Sequence, residues 1–239
     1  MAEYKDEPLE VMEEDKDIEK DIGIKLRNGF IRKVYGIIFF QLLITTGVVY
    51  YVMVNESIMK LMLENTWFVY LTFFLSLGVM LLTFCTKLFQ QVPINYLLLT
   101  LFTVLESIMV SYTTIYFDPF SVFVCAGITM ILVFGLTMYA CFTKRDLTMM
   151  GGFLVCFSLV LFILGIVGIF FRSYFYHVFL DSMGVLLMSL YLIYDTQLVV
   201  GQKQNLIKMD LYILGAMMIY LDIIGLFLRI LRLFGKKKK

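Results

Sequence analysis

The chain has 239 residues, 61% apolar and 16% charged, with a net charge of +1 and a mean hydropathy of +0.87. A soluble domain must show water a polar surface and cannot be built from this composition, so the chain reads as a membrane protein. The near-neutral balance offers no basic face for nucleic acid, and the lone His177 excludes a multi-histidine metal site.

The first 33 residues hold ten acids and seven bases. Residues 1–30 form an acidic head without hydrophobic periodicity, expected to be disordered and solvated. No cleavable signal with a short apolar core is recognisable there, so the first apolar segment is expected to act as a signal anchor. Runs long enough to cross the hydrocarbon, which takes about 20 apolar residues, then recur at 34–54, 66–86, 94–117, 119–142, 150–171, 175–198 and 211–234. Only helices and closed barrels satisfy the backbone in lipid, and unbroken runs of this length exclude the short alternating strands of a barrel. Short connections make neighbouring helices antiparallel. Pro93 and Pro119 precede the third and fourth segments, where a missing N–H costs little. Gly151, Gly152, Gly165 and Gly168 suit close approach of the fifth helix to a neighbour. Cys85, Cys125, Cys141 and Cys156 lie in or beside apolar runs without C-x-x-C spacing and read as small buried hydrophobes. The expected architecture is an all-α membrane domain over residues 31–235, a bundle of six or seven transmembrane helices, followed by a basic tail at 236–239.

Basic residues at segment ends set the expected orientation. Lys25, Arg27, Arg32 and Lys33 precede the first segment and place the N-terminus in the cytosol; Lys87, Lys144, Arg145, Lys203 and Lys208 agree, while the opposite connections carry Lys60 and Arg172. Seven full crossings would put Arg232 and Lys236–Lys239 outside, against the rule. The last segment therefore either spans, wrapped by the other six, or re-enters as a hairpin. The tail lysines fit either a di-lysine endoplasmic-reticulum retrieval signal, read only from the cytosol, or an anchor to anionic headgroups.

Ionisable side chains inside a membrane are candidate functional groups. Glu106 falls near the midpoint of the third segment, Asp222 near the middle of the last, and Asp195 near the end of the sixth; Asp181 opens the sixth, and Asp118 lies in the turn before Pro119. Asp181 and Asp195 stand about 21 Å apart along one helix, about 40° short of four turns. One face can thus carry an acid at each end, and the five acids form a candidate ladder for cations or protons. If Asp195 and Asp222 meet in a dry site, they cannot both ionise cheaply and share one proton, a pH-sensitive latch for which a calcium ion would compete. Their duller alternative is a pair of neutral packing groups bonded to Tyr or Thr. Asp118 also reads as a helix cap. Arg32 and Lys33 read as interface anchors, and Arg229 snorkels to a headgroup or pairs with an acid.

Several motifs resemble the Bax-inhibitor-motif family, particularly its lifeguard branch. They are Tyr191 and Tyr194 with Asp195-Thr196-Gln197, Tyr220-Leu221-Asp222-Ile223-Ile224, Leu226-Phe227-Leu228 and Leu231-Arg232-Leu233-Phe234-Gly235. Phe30-Ile31-Arg32-Lys33-Val34-Tyr35, Gln41-Leu42-Leu43, Phe102-Thr103 and Thr143-Lys144-Arg145-Asp146-Leu147-Thr148 extend the likeness over about residues 26 to 235. The resemblance implies a bundle with the last segment central and a calcium leak channel of the endoplasmic reticulum or Golgi that lowers store calcium and suppresses apoptosis. It implies no enzymatic activity and no cofactor, calcium being the transported ion. The family's gating aspartates map onto Asp195 and Asp222, which would also be the calcium-contacting pair, with Glu106, Asp181 and Asp118 as candidate pore-lining groups. Bacterial members hold the pair closed with an Arg after the second helix; here Lys87 stands there, without the bidentate fork, and Arg229 is a second candidate basic partner. Implied partners are calcium ions, the bilayer, anti-apoptotic Bcl-family proteins and intracellular calcium-release channels.

An intramembrane aspartyl protease is the nearest enzymatic reading, since Tyr194-Asp195 resembles its first motif. Its second motif, G-x-G-D, is missing, because Ile219-Tyr220-Leu221 precedes Asp222. A seven-helix receptor lacks a ligand-binding ectodomain or large loop. A non-conducting scaffold that binds apoptosis regulators is the alternative function.

Overall fold

The computed structural model describes residues 9–86, 91–143, 145–170, 173–200 and 211–238. Apolar segments must close their backbone hydrogen bonds internally in hydrocarbon, and these do so as helices. They are α1 (Leu9–Val54), α2 (Glu56–Glu64), α3 (Thr66–Cys85), α4 (Ile94–Thr114), α5 (Pro119–Phe142), α6 (Gly151–Phe170), α7 (Tyr174–Val200) and α8 (Tyr212–Phe234), with a short 3-10 turn at Thr148–Met150. All but α2 contain a stretch long and apolar enough to cross a membrane, that of α1 beginning at Lys25. The seven stretches match the apolar runs read from the sequence to within a few residues, except at the start of α1.

That start is a correction. The acidic head, expected to be irregular, is helical from Leu9 onward. Nucleation is the costly step in helix formation, and a helix already held in the bundle propagates readily into a Glu- and Lys-rich sequence. The short α2 was also unanticipated. Asn55 caps it, accepting from the N–H groups of Ser57 and Ile58 at 3.2 and 3.4 Å. Its Met62 is buried against Val52 of α1 and Ile115 after α4.

The alternating helices define two ends of the bundle. The N face holds the entry of α1 at Lys25–Lys33, the ends of α3, α5 and α7 and the starts of α4, α6 and α8. The C face holds α2, the α4–α5 connection, the start of α7 and the chain's tail. Between these faces α8 is the axis, packed against α1, α4, α5 and α7. Of its most apolar 18-residue stretch 56% is buried, against 17% for the corresponding stretches of α3, α5 and α6, which confirms the last segment as the central one. Ile213, Met217, Tyr220 and Leu226 of α8 share one core with Val34 of α1, Phe102 of α4 and Leu192 of α7. The peripheral helices instead present Phe74, Phe123, Ile131 and Phe162 outward.

The re-entrant alternative for the last segment does not hold. α8 is unbroken, and beyond it the tail lies antiparallel to the α4–α5 connection at the C face. Asp118 N–H donates to the Lys236 carbonyl at 2.8 Å, Lys238 N–H to the Tyr116 carbonyl at 2.9 Å, and Lys236 N–H to Ser121 Oγ at 2.7 Å. The entry of α1 and the tail are therefore on opposite faces. A cytosolic N-terminus and a retrieval signal read from the cytosol cannot both apply; packing around α8 outweighs the statistical charge rule. Tags placed before residue 1 and after residue 239 are accordingly expected to be protease-accessible from opposite sides of sealed vesicles, and access of both from one side would refute this topology.

Candidate functional site

The antiparallel α7–α8 interface brings two acids together. Asp195 lies five residues before the end of α7 and Asp222 near the middle of α8, and the side chains are 5% and 7% exposed. The two carboxyl groups lie close enough to interact across the helix interface. Two carboxylates have only acceptor oxygens, so a hydrogen bond between them would need one proton. Asp195 Oδ1 and Asp222 Oδ2 remain buried with no hydrogen-bond partner. Close by in the chain, Thr196 Oγ1 is buried, and the Tyr35 hydroxyl of α1 reaches toward it and toward Thr137 of α5 without completing a well-aligned bond. Unsatisfied polar atoms are expensive in a dry interior, and such a concentration suits a place that exchanges a proton, a water or a cation.

The end of α7 is held by contacts absent from the sequence reading. Gln197, two residues beyond Asp195, accepts from Leu147 N–H at 2.8 Å and donates Nε2 to the Arg145 carbonyl at 3.0 Å, clamping the α5–α6 connection. Arg27 donates to the carbonyls of Leu198 and Val200 at 3.2 and 3.1 Å, capping α7 where cationic groups are favoured. Lys33, read as an interface anchor, rests 3.4 Å from the centre of the Tyr212 ring, and Asn95 Nδ2 donates to the Tyr212 hydroxyl at 3.2 Å. Thus α1 and α4 grip both the end of α7 and the start of α8. Only the cluster of basic residues before the first segment hinted at this.

A second buried polar group joins α1, α4 and α8 near mid-depth. Gln41 Nε2 donates to Thr103 Oγ1 at 3.0 Å, Ser107 Oγ lies 3.0 Å from Thr45 Oγ1, and Thr45 Oγ1 and the Tyr220 hydroxyl share a bond of 2.8 Å. Such bonds replace the packing drive that lipid cannot supply between helices.

The other candidates fall elsewhere. Glu106 is half-buried beside Ser76 of α3, with Tyr220 as its neighbour toward α8. Asp181 is held at the C face by Arg232, through Nη2 at 2.7 Å and Nε at 2.8 Å, with Arg229 Nη1 at 4.0 Å. Arg229 therefore lies near Asp181, two helical turns from Asp222, and is no partner of the deep pair. Asp118 caps α5, accepting from Ser121 N–H at 3.3 Å. Lys87 lies outside the described residues. Of the five acids, Asp195 and Asp222 alone are brought into mutual contact among the described residues.

A family profile described as inhibitor of apoptosis-promoting Bax1 matches residues 27–239. The chain belongs to this family. Human protein lifeguard 3 is 32% identical over 222 residues, covering 89% of this chain and 70% of the relative. Mouse protein lifeguard 3 is likewise 32% identical, with 89% and 71% covered, and mouse protein lifeguard 4 is 30% identical over 211 residues, with 88% and 86% covered. The resemblance read from the motifs is thereby borne out. The Bax1-inhibitor match begins at Arg27, the residue that caps α7.

Replacing Gln197 by Ala removes both bonds to the 145–147 connection and is expected to destabilise the bundle by about 1–2 kcal/mol. Faster amide exchange at Leu147, with exchange in α8 unchanged, checks the assignment.

Proposed function

We propose that this family member is a pH-sensitive calcium leak of intracellular membranes that lowers store calcium and thereby inhibits apoptosis. The observation that carries the reading is the buried contact between Asp195 and Asp222, each with one oxygen left unpartnered, on the helix around which the bundle packs. With one proton between them, the two carboxyls attract and hold α7 against α8. Loss of that proton leaves two like charges in a poorly solvated site, which repel and offer oxygens to a cation. Two carboxylates supply at most four of the six to eight oxygens calcium takes, so water completes the shell, as suits an ion in transit. The N face would be cytosolic and the tail luminal, in the endoplasmic reticulum or Golgi. Anti-apoptotic Bcl-family proteins and calcium-release channels are the partners that such a role invites.

The sign of the pH response follows from this latch. The shared-proton state is closed, so calcium entry into liposomes holding the purified protein is expected to rise with pH, by up to about tenfold per unit for a single proton. Asp195→Asn and Asp222→Asn each keep one carboxylate beside a hydrogen-bond donor, the charge state of the closed pair. Both variants should therefore leak slowly at every pH. Equal background leakage by wild type and both variants would sink the channel reading; cell protection surviving in both would favour a scaffold.

A further inference from the structure

A crevice of about 1270 Å³ opens near the C face between α6, α7 and the last turns of α8, well away from the aspartate pair. Its two ends differ in chemistry. Along α6 it is walled by Leu159, Phe162, Gly165 and Ile166. A side chain at Gly165 would meet nothing within 4 Å, so this glycine leaves an open furrow in the apolar wall. At the other end stand Asp181, Arg229, Arg232 and Lys237, three cations to one carboxylate.

The cations are not equally occupied. Arg232 spends two donors on Asp181 Oδ1, at 2.7 and 2.8 Å. Arg229 lies 4.0 Å from the same oxygen, beyond hydrogen-bonding distance, with its side chain only 24% exposed. Its guanidinium lies against the backbone of α7 at Gly184, where any Cβ would collide with it. Gly184 thus provides a slot that fixes the Arg229 fork at the head of the crevice. A largely withdrawn guanidinium carries five N–H donors in a rigid plane that matches phosphate oxygens, and its burial beside lipid calls for an anion.

We propose that this crevice binds an anionic phospholipid of the C-face leaflet, its phosphate on Arg229 between Arg232 and Lys237 and an acyl chain in the furrow at Gly165. The excess positive charge at one end and the unbroken apolar wall at the other favour this amphiphile over a soluble phosphate or a neutral lipid. The site is independent of whether the aspartate pair gates a leak.

Native mass spectrometry of the full chain in detergent, titrated with phosphatidylglycerol or phosphatidylcholine, tests it. Wild type is expected to retain phosphatidylglycerol about fivefold more strongly per engaged cation than phosphatidylcholine. Arg229→Gln, which leaves the Arg232–Asp181 pair in place, should lose about fivefold of that preference, and Arg229→Lys should lose less. Gly165→Leu, which fills the furrow and touches no charge, should weaken retention of phosphatidylglycerol, whereas Arg32→Gln at the N face should not. Equal retention of the two lipids by wild type, or full retention by a folded Arg229→Gln together with Gly165→Leu, would overturn the proposal. So would displacement of the lipid by millimolar inorganic phosphate with no effect of Gly165→Leu, which would assign the site to a soluble anion.

Discussion

An acid halfway along a membrane-spanning helix can be kept only if that helix is screened from lipid on every side, and the bundle is arranged around this demand. α8 carries Asp222 and occupies the axis, with α1, α4, α5 and α7 as its sheath. Asp195 is brought to it by the α7–α8 pairing, the most extensive among the described residues. The clamps at the N face then hold the two carrier helices in register: Arg27 on the end of α7, Gln197 on the α5–α6 connection, and Lys33 and Asn95 on Tyr212. Placing α3, α5 and α6 on the periphery follows, since these helices have no deep charge to hide.

Asp118 and Asp181 are each neutralised by a local device at the bundle's C face. Asp118 spends its charge on the first turn of α5, and Asp181 on Arg232. Glu106 sits at a half-buried position by α3. Asp118 finds a helix N-terminus and Asp181 a cation, whereas Asp195 and Asp222 lie buried beside each other. The ladder imagined from spacing alone thus separates into one deep pair and several unrelated roles.

Segment length and hydropathy made seven crossings legible, because hydrocarbon thickness imposes one helix length and short connections impose antiparallel neighbours. Asp118 and Pro119 announced the start of α5 through local chemistry that depends on no distant partner. The deep pair was legible because so few acids occur in the apolar runs. Gln197 and Arg27 were not, since their partners are main-chain carbonyls and an amide that every residue possesses, so no particular sequence marks them. The slot at Gly184 for Arg229 joins positions on two helices, a relation that only packing reveals. The path of the last segment was ambiguous because charge bias is a tendency of populations, whereas the burial of α8 is a fact of one molecule.

The tail pairing at the C face has a mechanical consequence. Three backbone donations tie residues 116–121 to 236–238, and Arg232 adds a grip on α7 just before them. α8 is therefore pinned at its far end like the pivot of a lever, while Asp222 sits partway down its arm. Sliding along the axis would tear the pin, so a motion of α8 that spares it is a swing of the N-face end, which must first release the hold of Lys33 and Asn95 on Tyr212. A swing moves the deep carboxyl less than the helix start, which gears a large displacement at Tyr212 down to a small one at Asp222.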